Sequence, residues 1–87
     1  MQAEDQMSWI ERDKALHREV KTPDFVTAFT LVAALTPLAE KAGHHPDLEL
    51  GWGYVRIKLT THDAGGVTEK DHALAKQIDG LVGRFGF

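Results

Sequence analysis

The chain has 87 residues, 43% of them hydrophobic and 26% charged, with a formal net charge of -3; this allows one folded globular domain and argues against disorder. It has no cysteine, which excludes disulfides, thiolate catalysis and Cys-ligated zinc. Lysine and arginine are scattered, so no basic stripe is present for direct nucleic-acid binding.

The N-terminus, Met1-Gln2-Ala3-Glu4-Asp5, is acidic with no apolar run behind it, and no stretch approaches the roughly 18 consecutive apolar residues of a membrane span. A cytoplasmic protein without a membrane partner is expected. Residues 1–8 read as a short extension and residues 9–87 as the single domain. A domain of this size buries little more than about 60% of its unfolded surface, so self-association is expected to add stability.

From Trp9 to Lys21 the signals conflict. Ala15-Leu16-His17-Arg18-Glu19-Val20 has helical composition, while Leu16 and Val20 also fit strand alternation; local propensity favours helix. Thr22-Pro23-Asp24 resembles an N-cap followed by a first-turn proline. Phe25, Ala28, Phe29, Val32 and Leu35 then recur at helical spacing, which predicts a helix over Pro23 to Lys41 with both phenylalanines in the core. Pro37 predicts a kink or a restart within it. Gly43 ends the helix, and Pro46 forces His45 into an extended conformation, so His44 and His45 fall on a helix-to-strand connection.

Leu48, Leu50 and Trp52 alternate in one phase and Val55, Ile57 and Leu59 in the other, so a hairpin or bulge is predicted around Gly51-Trp52-Gly53-Tyr54. The second strand, Tyr54 to Thr61, delivers His62 at its end, and Ala64-Gly65-Gly66 forms a loop. Thr68, with Asp71 three positions on, reads as a capping box. Leu74, Ile78, Leu81, Val82 and Phe85 give the last helix its apolar stripe. Phe85-Gly86-Phe87 reads as an apolar patch covered by a second subunit, the alternative being a frayed tail.

Three of the five histidines fall in one run of polar residues at fixed offsets: Glu40, His44-His45-Pro46, Trp52, His62 and Asp71. A helix end, the following connection and a strand end can bring these to one rim. Two imidazoles across a small cleft can act as acid and base in turn, which suits adding or removing water at an activated carbon. Glu40, His44 and His62 are possible metal ligands, but adjacent histidines followed by proline lack the i, i+4 pairing of helical zinc sites, and no metal is expected. His17 and His72 lie outside the pattern and read as surface residues.

These residues resemble the pterin-4a-carbinolamine dehydratase family. The likeness extends to Phe25-Val26-Thr27-Ala28-Phe29, Ala39-Glu40-Lys41, Leu59-Thr60-Thr61-His62 and Gly66-Val67-Thr68-Glu69-Lys70-Asp71, and covers roughly Trp9 to Val82. It implies an α+β fold, a two-layer sandwich with a four-stranded antiparallel sheet and helices packed on one face, and it places Ala15 to Lys21 in a strand against the local reading. The implied enzyme is a hydro-lyase that dehydrates 4a-hydroxytetrahydropterin to quinonoid dihydropterin in tetrahydropterin recycling, with no metal or organic cofactor. His44, His45 and His62 would be its catalytic set, His44 and His62 as acid and base and His45 shaping substrate binding. Glu40, Trp52, Thr60, Thr61 and Asp71 would form the substrate-binding set, with Trp52 either stacking on the ring or packing under the site, and Asp71 either orienting His62 or capping the helix.

Three departures from the family pattern are visible: a short segment before Trp9, Gly43 where Asp or Asn is frequent, and Pro37 in the helix leading to Glu40. The family also includes non-enzymatic modules, a transcriptional dimerisation cofactor and RuBisCO assembly factors, so a binding or assembly role with a protein client is the alternative. Unpaired sheet edges predict at least a homodimer, with a homotetramer through the helices.

Overall fold

In the computed structural model, which describes residues 8–86, four strands and two long helices follow in the order β1 (Ile10–Arg12), β2 (Ala15–Lys21), α1 (Phe25–Ala42), β3 (Asp47–Gly51), β4 (Tyr54–Leu59) and α2 (Glu69–Phe85), with a short 3-10 turn, His62–Ala64, before α2. The strands form one antiparallel sheet in the order β1-β2-β4-β3. Both helices pack on one face of it around Leu16, Val20, Leu31, Leu35, Val55, Ile57, Leu59, Leu74 and Ile78. This is the expected two-layer α+β sandwich. The expected N-terminal extension, apart from Ser8, and Phe87 lie outside the described residues.

The helical reading of residues 15–21 is overturned: the segment is β2, paired with β1 on one side and β4 on the other. Leu16 and Val20 face the helices, and Arg18 on the same side reaches Asp79 of α2. Burial of alternate residues against a sheet outweighs a helix propensity worth a few tenths of a kcal/mol per residue. Arg12 pairs with Ala15, so β1 and β2 are joined by the two residues Asp13 and Lys14, with φ of 53° and 65°. Positive φ at both central positions is the hairpin geometry that matches strand twist.

The cap of α1 is Asp24 rather than Thr22. The Asp24 carboxylate accepts from the Thr27 N–H at 2.8 Å, so Pro23 stands outside the helix. The helix then runs through Pro37 without a restart. Pro37 and Ala33, one turn earlier, are both exposed, so water can reach the carbonyl that proline leaves without a partner. The inward stripe is Ala28, Leu31, Leu35 and Ala39. Phe25 and Phe29, expected in the core, are 50% and 58% exposed. The helix is apolar on more than one face, and its periodicity alone does not select the buried one.

At the far end of α1, Gly43 adopts φ 63°. The Gly43 N–H bonds the Glu40 carbonyl and the His44 N–H bonds that of Ala39, a Schellman closure that fixes the direction in which His44 leaves the helix. The predicted phase change is a hairpin: Gly51 pairs with Tyr54 across the two-residue turn Trp52-Gly53, which puts Leu48 and Leu50 on the same face as Val55 and Ile57. β4 stops at Leu59, two residues before the predicted end, and Thr61 makes an isolated bridge to Gly66.

Candidate active site

The chain leaves α1 towards β3 and leaves β4 towards α2 at the same end of the sheet, because Asp47 at the start of β3 pairs with Lys58 near the end of β4. His44 sits on the first connection and His62 opens the second. Asp71 follows in the first turn of α2 and is 0% exposed.

The expected capping box is present. The Asp71 Oδ2 accepts the Thr68 N–H at 2.9 Å, and the Thr68 hydroxyl accepts the Lys70 N–H at 3.3 Å. The same carboxylate also holds two groups from outside the helix. Its Oδ1 lies 2.5 Å from His44 Nε2, and its Oδ2 accepts the Thr61 hydroxyl at 2.7 Å. Asp71 therefore orients His44, where the sequence pointed to His62, and it caps the helix as well.

Burial pushes the Asp71 carboxyl up, but the hydrogen bonds from His44, the Thr68 N–H and Thr61 outweigh it and hold the group below its ordinary value of 3.8. An ionised carboxylate only accepts, so His44 Nε2 must carry the proton in this contact. In a neutral imidazole the lone pair is then on Nδ1. The pair is the arrangement of a general base backed by an orienting acid.

The other expected site residues divide. His45 Nε2 lies 2.8 Å from Glu40 Oε2, and both side chains are more than half exposed, so the Gly43 closure turns this pair to the surface beside His44. The His62 side chain is exposed and has no hydrogen-bond partner among the described residues. Both threonine hydroxyls are engaged within the chain: Thr60 donates to the Lys14 carbonyl at 2.8 Å, and Thr61 serves Asp71. Trp52 is 71% exposed at the hairpin tip. It is separated from His44 by the length of β3, roughly 17 Å at about 3.3 Å per residue, so one chain does not bring it to the histidines.

Sequence reasoning read Thr68 only as a cap. Its hydroxyl also lies 2.8 Å from that of Thr61, and the Thr-x-x-Asp spacing was the available signal. Among the described residues no three His, Asp or Glu side chains gather as metal ligands. Glu40 pairs with His45, and His44 turns to Asp71. A concavity of about 960 Å³ lies on the sheet face away from the helices, lined in part by ion-paired Glu19, Glu49 and Arg56, and includes none of the motif histidines.

A family model described as Pterin 4 alpha carbinolamine dehydratase matches residues 1–81. A relative from Roseiflexus sp. (strain RS-1) is 42% identical over 78 residues, covering 90% of this chain and 84% of its own. One from Chloroflexus aggregans is 47% identical over 74 residues, covering 85% and 79%. Both carry the name "Putative pterin-4-alpha-carbinolamine dehydratase". Among solved structures, a transcriptional coactivator/pterin dehydratase from Brucella melitensis is similar with a TM-score of 0.81 and 35% identity, over 86% of this chain and 82% of that one. A pterin dehydratase-like protein identified as a RuBisCO assembly factor in the alpha-carboxysome has a TM-score of 0.74 and 29% identity, over 87% and 90%. Motif, fold and relatives agree, and the chain belongs to the pterin-4a-carbinolamine dehydratase family.

Proposed function

We propose that this protein dehydrates a 4a-hydroxytetrahydropterin to the quinonoid dihydropterin, in tetrahydropterin recycling in the cytoplasm. The observation that carries the reading is the 2.5 Å contact between His44 Nε2 and the buried Asp71 carboxylate, which leaves Nδ1 as a base. In this reading His44 takes the proton from the ring nitrogen next to C4a, whose electron pair forms the new C=N bond. His62, exposed and unpartnered among the described residues, gives a proton to the departing hydroxyl, which leaves as water. Glu40 and His45 face the solvent beside this pair and bind the polar edge of the pterin. Such acid/base assistance supplies roughly 10²–10⁴-fold, enough for a dehydration that already proceeds unaided.

The working unit in this reading is a homo-oligomer, a dimer or a tetramer. The free edge of β3 and the exposed Val26 and Phe29 on α1 are the surfaces that another copy would cover. The same apolar face of α1 supports a second reading, binding of a protein client, which the assembly-factor neighbour makes worth testing.

Stopped-flow dehydration of freshly generated 4a-hydroxytetrahydropterin tests the enzyme. Wild type should exceed the spontaneous rate and His44→Ala and His62→Ala should lose that gain. A folded wild type that merely matches the spontaneous rate overturns the proposal.

A further inference from the structure

We infer that Thr61 and Thr68 are positioning residues for His44: acting through Asp71, they hold its imidazole in one tautomer, with the proton on Nε2 and the lone pair on Nδ1. The inference deepens the acid/base reading of this site and rests on it for its kinetic consequence.

A count of protons leads to it. The Thr61 hydroxyl has one hydrogen and two oxygens within reach, Asp71 Oδ2 at 2.7 Å and Thr68 Oγ1 at 2.8 Å. Asp71 is held ionised by its partners and offers no hydrogen, so the contact with Asp71 must use that of Thr61. The contact between the two hydroxyls then uses the hydrogen of Thr68, whose oxygen accepts from the Lys70 N–H. Every proton in the chain Thr68 to Thr61 to Asp71 has one assignment. A hydroxyl that accepts a hydrogen bond donates more strongly, so each link reinforces the next.

The carboxylate cannot turn. Its Oδ2 accepts two donors, Thr61 O–H and Thr68 N–H, and rotation would break both bonds at a side chain that is 0% exposed. Oδ1 is thus pinned towards His44 with no other donor among the described residues, and the imidazole must bring a proton to it. Without the two hydroxyls, one backbone N–H alone would steady that oxygen.

The effect is separable from helix capping. The cap consists of Asp71 with the Thr68 N–H and Thr68 Oγ1 with the Lys70 N–H, and Thr61 takes no part in it. The backbone bridge of Thr61 to Gly66, 3.0 and 3.3 Å, is likewise independent of its side chain. Thr61→Val therefore removes the hydroxyl while keeping shape, bridge and cap.

The test is the nitrogen NMR spectrum of His44 in ¹⁵N-labelled protein, recorded with rising pH until its two ring signals no longer change. Wild type should show a protonated-type Nε2 and a lone-pair-type Nδ1, widely separated. In Thr61→Val the Thr68 N–H alone steadies Oδ2, the carboxylate can turn away from His44 for part of the time, and the two signals should move towards each other as the freed ring samples both tautomers; Thr61→Ser should restore the wild-type pattern. In the dehydration assay kcat should fall about five- to tenfold in Thr61→Val, with KM unchanged and recovery in Thr61→Ser. A wild-type His44 protonated on Nδ1, or a Thr61→Val spectrum identical to wild type, overturns the inference. The wild-type spectrum needs no variant to fold. If wild type fails to accelerate dehydration, the dehydratase reading falls, while the spectra still decide the tautomer.

Discussion

Asp71→Asn separates the two tasks of one buried carboxylate. An amide of the same shape offers one accepting oxygen and one donating NH₂. With its oxygen towards His44, the NH₂ would face the Thr68 N–H, leaving a buried backbone donor without a partner at a cost of about 1–3 kcal/mol. With its oxygen towards Thr68 and Thr61, the NH₂ faces His44, which can accept at Nε2 once its own proton moves to Nδ1. The second orientation satisfies every group, so it should prevail. The cap survives and the base does not.

The stability loss is then the difference between a charge-assisted and a neutral hydrogen bond, about 1–1.5 kcal/mol. For a domain of this size that lowers Tm by roughly 5–10 °C. Asp71→Ala, which also removes the cap and leaves the Thr68 N–H and Thr61 without their acceptor, should cost about 3 kcal/mol or more, a fall of roughly 12–25 °C. Catalysis should order differently: both variants should lose roughly the 10²–10⁴-fold expected of His44→Ala. Circular-dichroism melts and stopped-flow dehydration on the same samples make the comparison. Acid supplies a further check. The folded Asp71 lies below 3.8, so its contribution is present above that pH and is lost as pH falls through the folded value. The gap in Tm between wild type and Asp71→Asn should therefore close in that range. An Asp71→Asn protein that keeps the wild-type rate, or that melts as low as Asp71→Ala, would refute the reasoning.

Other consequences are simpler. The Glu40–His45 pair is exposed, and such pairs add about 0–1 kcal/mol, so Glu40→Gln should barely move Tm while raising KM for the pterin about three- to tenfold; a large fall in Tm would contradict the surface placement. Lys14 holds φ 65° without a glycine, so Lys14→Gly should raise stability by about 0.5–1 kcal/mol in urea denaturation, and a loss would show that its side chain matters more than its backbone. Phe29→Glu places a charge on the exposed apolar face of α1 and should shift light-scattering mass towards 9.7 kDa; a wild type already at that mass would remove the oligomer proposal.

What was legible in the sequence was local. The capping box needs only Thr68 and Asp71, the helix end only Gly43 and its neighbours, and the hairpin only the phase change across Trp52-Gly53. β2 was not legible from its own residues, because its helical composition is overruled by β4, which follows after α1 and β3. Phe25 and Phe29 were misplaced because α1 is apolar well beyond its buried stripe. The motif residues of the site could be found by spacing, but not their pairing. Asp71 lies 27 residues from His44 and nearer in sequence to His62, and only the meeting of two connections at one end of the sheet chooses between them. Trp52 fails to join them for the same reason: the register of β3 on β4 carries it to the opposite end.

That meeting gives the site two parts with different physical character. Asp71 is fixed by the first turn of α2, and α2 by the burial of Leu74, Ile78 and Leu81, so the orientation of His44 carries the stability of the fold itself. A base held this way needs no reorganisation when substrate arrives. His45, Glu40 and His62 are exposed, and no bond to the core holds their side chains. In the proposed reaction their ordering would come from the substrate, which would assign recognition to the exposed group and proton abstraction to the buried one. Variants of the buried group should therefore act on kcat, and those of Glu40 and His45 on KM. In that reading, a single carboxylate that both starts a helix and aims a histidine would let a small two-layer domain hold its base rigidly.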